Sequence, residues 1–147
     1  MKIRVKKLHP DAKIPRYATA GASGFDLHSV EDVVIRAGET NLVRTGLAFD
    51  VAPGYELQIR PRSGISLKTH IRIANTPGTI DSDYRGEVCL IVWNATFRTK
   101  TSDVMIKKGE RIAQGVICPV VQAAIEEVDH LANSERGSDG FGSTGID

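Results

Sequence analysis

Thr40-Asn-Leu-Val-Arg-Thr-Gly-Leu-Ala-Phe-Asp50 runs into Val51-Ala-Pro-Gly54 and then Tyr55-Glu-Leu-Gln-Ile-Arg60. Two β-type runs, 40–49 and 55–60, flank a Pro-Gly turn. The same punctuation extends in both directions. Upstream, 2–7, 24–29 and 31–36 read as strands; downstream, 70–74, 86–93, 103–106 and 112–119 do. Turns are marked by Ala37-Gly38-Glu39, Pro61-Arg62-Ser63-Gly64, Pro77-Gly78 and Lys108-Gly109-Glu110. Short strands at this spacing, without βα alternation, predict an all-β antiparallel sandwich or barrel. In the first two-thirds only 63–68 suits a helical turn. Farther on, Val121, Ala124, Ile125, Val128 and Leu131 fall at helical spacing.

Composition narrows the function classes. The chain has 147 residues, enough for one ordinary domain. Lys plus Arg is 19 against 18 for Asp plus Glu, a net charge of +1. Proteins that coat nucleic acid or bind membrane surfaces usually carry a marked basic excess, so neither is expected. No stretch approaches the ~20 apolar residues of a membrane span. Two Cys are too few for a disulfide scaffold. Cys89 and Cys118 each sit in an apolar run and read as small buried hydrophobes in a reducing compartment such as the cytoplasm. The start, Met1 to Lys7, alternates basic and apolar residues and reads as an edge strand, with no targeting segment visible. No Cys/His cluster has zinc spacing. Aromatics are scarce, with one Trp, three Tyr and four Phe, which makes the position of each worth asking about.

Several segments carry residues suited to chemistry. From about Asn133 the chain becomes small, polar and glycine-rich, as a flexible tail does. Yet Arg136, Phe141, Gly142, Ser143 and Thr144 are more than a spacer needs. Glycines admit close approach to a phosphate, hydroxyls donate to it, Arg offers a fork, and a ring can stack on a base. Pro61-Arg62-Ser63-Gly64 puts a guanidinium, a hydroxyl and a backbone N–H at a strand exit, a set that also suits phosphate. Asn75 to Gly86 reads as a hairpin with a rim able to read a pyrimidine edge. In it Asp81 and Asp83 are alternative carboxylates for a general base or a metal, and Tyr84 suits a sugar face. Asp26 stands inside an apolar strand, where a carboxylate needs an Arg or metal-bound water. Arg111 and Gln114 stand at the start of another strand.

Taken in order, five segments resemble the motifs of the trimeric dUTP pyrophosphatase (dUTPase) family. They are Ala20-Gly-Ala-Ser-Gly-Phe-Asp-Leu27, Pro61-Arg-Ser-Gly64, Asn75 through Glu87, Arg111-Ile-Ala-Gln-Gly115 and Arg136-Gly-Ser-Asp-Gly-Phe-Gly-Ser-Thr-Gly145. The resemblance spans nearly the whole chain. It implies a β jelly-roll domain over 1–132 and a glycine-rich arm over 133–147 that closes on the active site. It also implies a strand over 123–129 in place of the helix that periodicity favours, and a homotrimer with active sites shared between subunits. The implied reaction splits dUTP into dUMP and pyrophosphate by water attack on the α-phosphorus, with Mg²⁺ on the triphosphate. Such a reaction limits uracil in DNA and supplies dUMP for dTMP synthesis.

By the same resemblance Asp81 activates the water, and Asp83 is a less essential neighbour. Asn75 and the backbone of Gly78, Thr79 and Ile80 read uracil, and Tyr84 packs against deoxyribose. Arg62, Ser63, Gly64 and Gln114 bind phosphates, while Asp26 acts through water on the Mg²⁺ side. Arg136, Gly142, Ser143 and Thr144 close on the γ-phosphate, and Phe141 stacks on uracil. One departure is the segment 95–103, longer and more basic than a tight turn and expected as an enlarged surface loop. Two alternatives are a dCTP deaminase of the same superfamily and a non-enzymatic regulator on this scaffold. The first needs a glutamate at the base, where this chain has Asp81, and the second should have lost a catalytic residue or the tail.

Overall fold

A computed structural model describes residues 1–96 and 102–140. In chain order the elements are β1 (Arg4–Lys7), β2 (Phe25–His28), β3 (Val33–Ile35), β4 (Thr40–Arg44), β5 (Leu47–Asp50), β6 (Tyr55–Pro61), α1 (Ser63–Lys68), β7 (Ile71–Ile73), β8 (Gly78–Ile80), β9 (Cys89–Asn94), β10 (Val104–Ile106) and β11 (Arg111–Pro119). Every strand pair is antiparallel. A four-stranded sheet, β2-β11-β6-β8, faces a three-stranded sheet, β4-β9-β7, and β1-β5 and β10-β3 form two-stranded ribbons. This is the all-β antiparallel architecture that the strand spacing predicts, of the jelly-roll type that the resemblance implies.

Alternation along each strand builds the core. Leu57 and Ile59 of β6 point inward, as do Phe25 and Leu27 of β2 and Leu90 and Val92 of β9, and all join one buried cluster. The core is aliphatic, with Phe25 and Phe49 stacked at 6.0 Å as its aromatic centre. Gly115 lies opposite Phe25 in the β11–β2 ladder. A Cβ there would stand 2.5 Å from the Phe25 ring, so only glycine lets the ring cross the strand. Trp93 is 41% exposed on the outer side of β9.

Four expectations are corrected. The run 40–49 is two strands, not one. The chain leaves the β4–β9 pairing and enters the β5–β1 pairing at Thr45-Gly46. Gly46 has φ +66°, and an added Cβ would meet the His9 Cβ at 2.7 Å. The buried Thr45 hydroxyl donates to the Val88 carbonyl, and the Gly46 N–H donates to Glu87 Oε1 at 2.8 Å, fixing the corner. The segment 75–86 is not a hairpin. Its upstream neighbour β7 lies in one sheet and β8 in the other, so the chain crosses between layers before Gly78.

The strand expected over 123–129 is not formed, nor is the helix that periodicity favours. Val121, Ile125 and Leu131 are 92%, 98% and 86% exposed. A strand needs a partner edge and an amphipathic helix needs a core to lie on, and among the described residues the segment pairs with no strand and packs on no core. The cysteines are half-buried and unpaired, not fully buried. Cys118 also has a cation beside it, with Arg60 Nη2 3.4 Å from its Sγ. Burial still pushes the Cys89 thiol pKa up. Among the described residues no helix is long and apolar enough to cross a membrane.

Candidate active site

The predicted site residues fall into two groups at opposite ends of β6. The first gathers where β2, β11 and the exit of β6 meet. Asp26 on β2 faces Gln114 on β11, and Gln114 faces Arg60 on β6. Arg62 Nε donates to Asp26 Oδ1 at 2.8 Å, and Arg111 Nη1 donates to Asp26 Oδ2 at 3.1 Å. Arg62 Nη1 also donates to the Arg111 carbonyl at 3.3 Å. Asp26 therefore has the arginine partners that its place in an apolar strand requires. Gln114 Nε2 donates to the Pro61 carbonyl at 2.9 Å. Gly24 makes room for this amide, since a Cβ there would sit 2.6 Å from Gln114 Oε1. Ser63 and Gly64 open α1, with Arg62 as an N-cap that makes no side-chain capping bond. The N–H groups of such a first turn have no acceptor within the helix. Two arginines, a hydroxyl, free N–H groups and an amide in one place can bind several phosphate oxygens.

Arg111 and His28 belong to this group and were not among the predicted site residues. The strand-start Arg111 was visible in the sequence, but its contact with Asp26 depends on the β11–β2 register. His28 pairs with Arg111 in that register, and its buried Nδ1 has no hydrogen-bond partner among the described residues. Burial, then the nearby Lys13 charge, pushes its pKa below the ordinary 6.5.

The second group is carried by β8 and the turn after it. Gly78, Thr79 and Ile80 pair with Ile59, Gln58 and Leu57, and the far edge of β8 has no partner strand among the described residues. Such an edge presents N–H and C=O groups that can read a flat ring. The Asn75 amide folds close over β8, its Nδ2 3.1 Å from where a Gly78 Cβ would stand. Asp81 follows β8 directly, and its carbonyl accepts the Tyr84 N–H at 3.2 Å. Its exposed carboxylate has no hydrogen bond or ion pair among the described residues. With Glu56, Thr79 and Asp83 it lines a cavity of about 510 Å³. Tyr84 is 44% exposed and donates its hydroxyl to the Glu87 carbonyl at 3.1 Å.

The register keeps the two groups apart. Ile80 lies opposite Leu57, so Asp81 stands near the level of Glu56, whereas Arg62 lies just beyond the other end of β6. Six residues of strand separate those levels, roughly 20 Å at about 3.3 Å per residue. A base must come within one hydrogen bond of the water it activates, so within one copy of the chain Asp81 and Arg62 stand too far apart to act on the same atom. Arg136 joins neither group: it is exposed, and its Nε donates to the Asp139 carbonyl at 2.8 Å. Phe141, Gly142, Ser143 and Thr144 lie outside the described residues.

A family model for dUTPase matches residues 10–145. The chain belongs to the dUTPase family. It is 57% identical over 145 residues to a deoxyuridine 5'-triphosphate nucleotidohydrolase of Nautilia profundicola, covering 99% of each chain. A protein of the same name from Hydrogenobaculum is 53% identical over 147 residues, again covering 99% of each. Among solved structures, the dUTPase of Staphylococcus bacteriophage 80alpha with dUPNHPP matches with TM-score 0.90 and 31% identity over 99% of each chain. Both residue groups thus sit on a dUTPase fold along its whole length.

Proposed function

We propose that this chain is a dUTP diphosphatase that converts dUTP and water to dUMP and pyrophosphate. The observation that carries the reading is the whole-length dUTPase match of a chain that keeps all five motif segments in order. Water attacks the α-phosphorus, an O–P bond forms, and the bond to the bridging oxygen breaks, releasing pyrophosphate. Asp81, unpartnered and exposed, takes the proton of the attacking water. Arg62, Ser63, Gly64 and Gln114 hold the phosphates and offset their charge. Asn75 and the β8 backbone at Gly78, Thr79 and Ile80 hydrogen-bond uracil, and rejecting cytosine follows because its edge leaves groups unpaired. Tyr84 packs against deoxyribose and excludes a 2′-hydroxyl. Arg136, Gly142, Ser143 and Thr144 close on the γ-phosphate, and Phe141 stacks on the base, shutting out bulk water.

The residues fit Mg²⁺ carried by the triphosphate, not a cage of protein ligands. No group of three metal-ligating side chains exists among the described residues, and both Asp26 oxygens already accept from arginine. Asp26 would act on the ion's waters, and the bound ion would neutralise phosphate charge.

The working unit in this reading is a homotrimer with sites shared between subunits. Three observations support it. The two site groups stand roughly 20 Å apart in one chain at the strand rise already used. Among the described residues nothing covers the exposed apolar side chains of 121–131. Beside β1 lies an apolar groove of about 500 Å³ lined by Ile3, Val5, Tyr17, Phe49 and Ile117, among others. The basic β1 edge and the acidic run Glu126, Glu127 and Asp129 have complementary charge, which suits a neighbour's segment laid along that groove. The unpaired Cys89 and Cys118 suit a reducing compartment such as the cytoplasm.

The test is pyrophosphate release from dUTP with Mg²⁺, set against UTP, dTTP and dCTP. Strong preference for dUTP is expected. Equal turnover of all four would contradict the pocket, and ammonia release from dCTP would favour a deaminase.

A further inference from the structure

Besides the Tyr84 hydroxyl's bond to the Glu87 carbonyl, the turn that carries Asp81 and Tyr84 is tied to another element, among the described residues, through Arg85. Arg85 Nη1 donates to the Ser82 carbonyl at 2.7 Å and to the Tyr84 carbonyl at 3.0 Å. Its Nη2 donates to Asp50 Oδ1 at 2.9 Å. Asp50 is the last residue of β5, and its other oxygen accepts from Arg4, its partner in the β1–β5 ladder. Thus one guanidinium gathers two carbonyls of the turn and binds them to a carboxylate on a different sheet. Within the turn itself there is one backbone bond, Tyr84 N–H to the Asp81 carbonyl. The β8 backbone is held separately, by its ladder with β6.

We propose that Asp50, acting through Arg85, is a positioning residue that sets where Asp81 and Tyr84 stand. The proposal rests on the dUTPase reading of those two residues. Asp50 lies outside all five motif segments and touches no proposed substrate group. A two-point carbonyl grip loses its anchor when the carboxylate is removed, and the turn can then drift against β8. Displacements of about 1 Å at a reacting group cost up to a hundredfold in rate.

The grip divides the site's tasks, and the division can be measured. Asp81 and Tyr84 depend on Asp50, whereas base reading by Asn75, Gly78, Thr79 and Ile80 does not. Asp50→Ala should lower kcat for dUTP by about tenfold or more. It should also narrow the preference for dUTP over UTP, which Tyr84 sets. The preference for dUTP over dCTP should stay as in the unaltered protein. Asp50→Glu, which keeps the charge, should recover much of both losses. Thermal melting checks that each variant is folded. If Asp50→Ala does not fold, Asp50→Asn, of nearly the same shape, is read the same way. Unchanged kcat and an unchanged dUTP/UTP ratio in a folded variant would overturn the proposal. So would loss of both selectivities together with a lowered melting temperature, the mark of a merely structural residue. Absence of dUTP turnover in the unaltered protein would instead refute the dUTPase reading itself.

Discussion

Asp26 lies on β2 and Asp81 directly follows β8 of the same sheet, and their surroundings differ. Asp26 is held between Arg62 and Arg111, so its charge is compensated and its oxygens are directed. Asp81 has no such partner among the described residues and is open to the cavity beside β8. That difference suits a fixed electrostatic element in one case and a base in the other. Asp81→Asn should cut turnover by a factor on the order of 10²–10⁴ while leaving nucleotide binding largely intact. Retained activity, read by pyrophosphate release, would refute its role. The sequence left Asp81 and Asp83 as equals in the residues themselves, because neither spacing nor composition says which one directly follows a strand edge.

His28 gives a pH prediction at the same scale. Its folded pKa lies below 6.5, chiefly because burial disfavours the charged ring. The unfolded chain then takes up the proton first, so stability is complete above about 6.5 and falls as pH drops through that value toward the folded pKa. His28→Gln should flatten this slope in denaturant melts between about pH 7 and 5. An unchanged slope would mean that other groups carry it.

Among the elements, Gly115 and Gly46 show what a linear reading misses. Strands 55–60 and 112–119 were legible because their apolar residues are punctuated by turn signals and their partners lie in the same chain. The corner at Gly46 was not, because Thr45-Gly46 sits inside an unbroken β-type run. Its break is set by Val88 and Glu87, some forty residues away in sequence. Gly115 likewise looks like any glycine in a strand until the register places Phe25 against it. Gly115→Ala should destabilise the fold by about 1–3 kcal/mol through overpacking. A variant that melts with the unaltered protein would show that the ring moves aside at no cost.

For the whole molecule, the strand expected over 123–129 and the assembled site share one physical explanation. On the proposed trimer, neither is completed by a single copy: the segment pairs with no edge of its own chain among the described residues, and Asp81 stands far from Arg62. The all-β class was legible because it depends on local pattern, and the candidate site residues were named from the five motifs. In the proposed trimer, which copy each residue serves depends on assembly, and the sequence has no heptad or unbroken apolar stripe to signal it. Deleting 134–147 should leave the oligomer intact in light scattering and sharply reduce turnover. Near-normal activity would make the tail a spacer.

The central claim is that each chain carries two half-sites that work only across a subunit boundary. Subunit mixing tests it directly. Arg62→Ala and Asp81→Asn proteins are each assayed for pyrophosphate release from dUTP, then unfolded together and refolded at varied ratios. Each variant alone should be nearly inactive, and the mixtures should regain turnover, with a maximum at intermediate ratios where some sites combine an intact Arg62 with an intact Asp81. Mixed oligomers that form but stay inactive at every ratio would contradict the account.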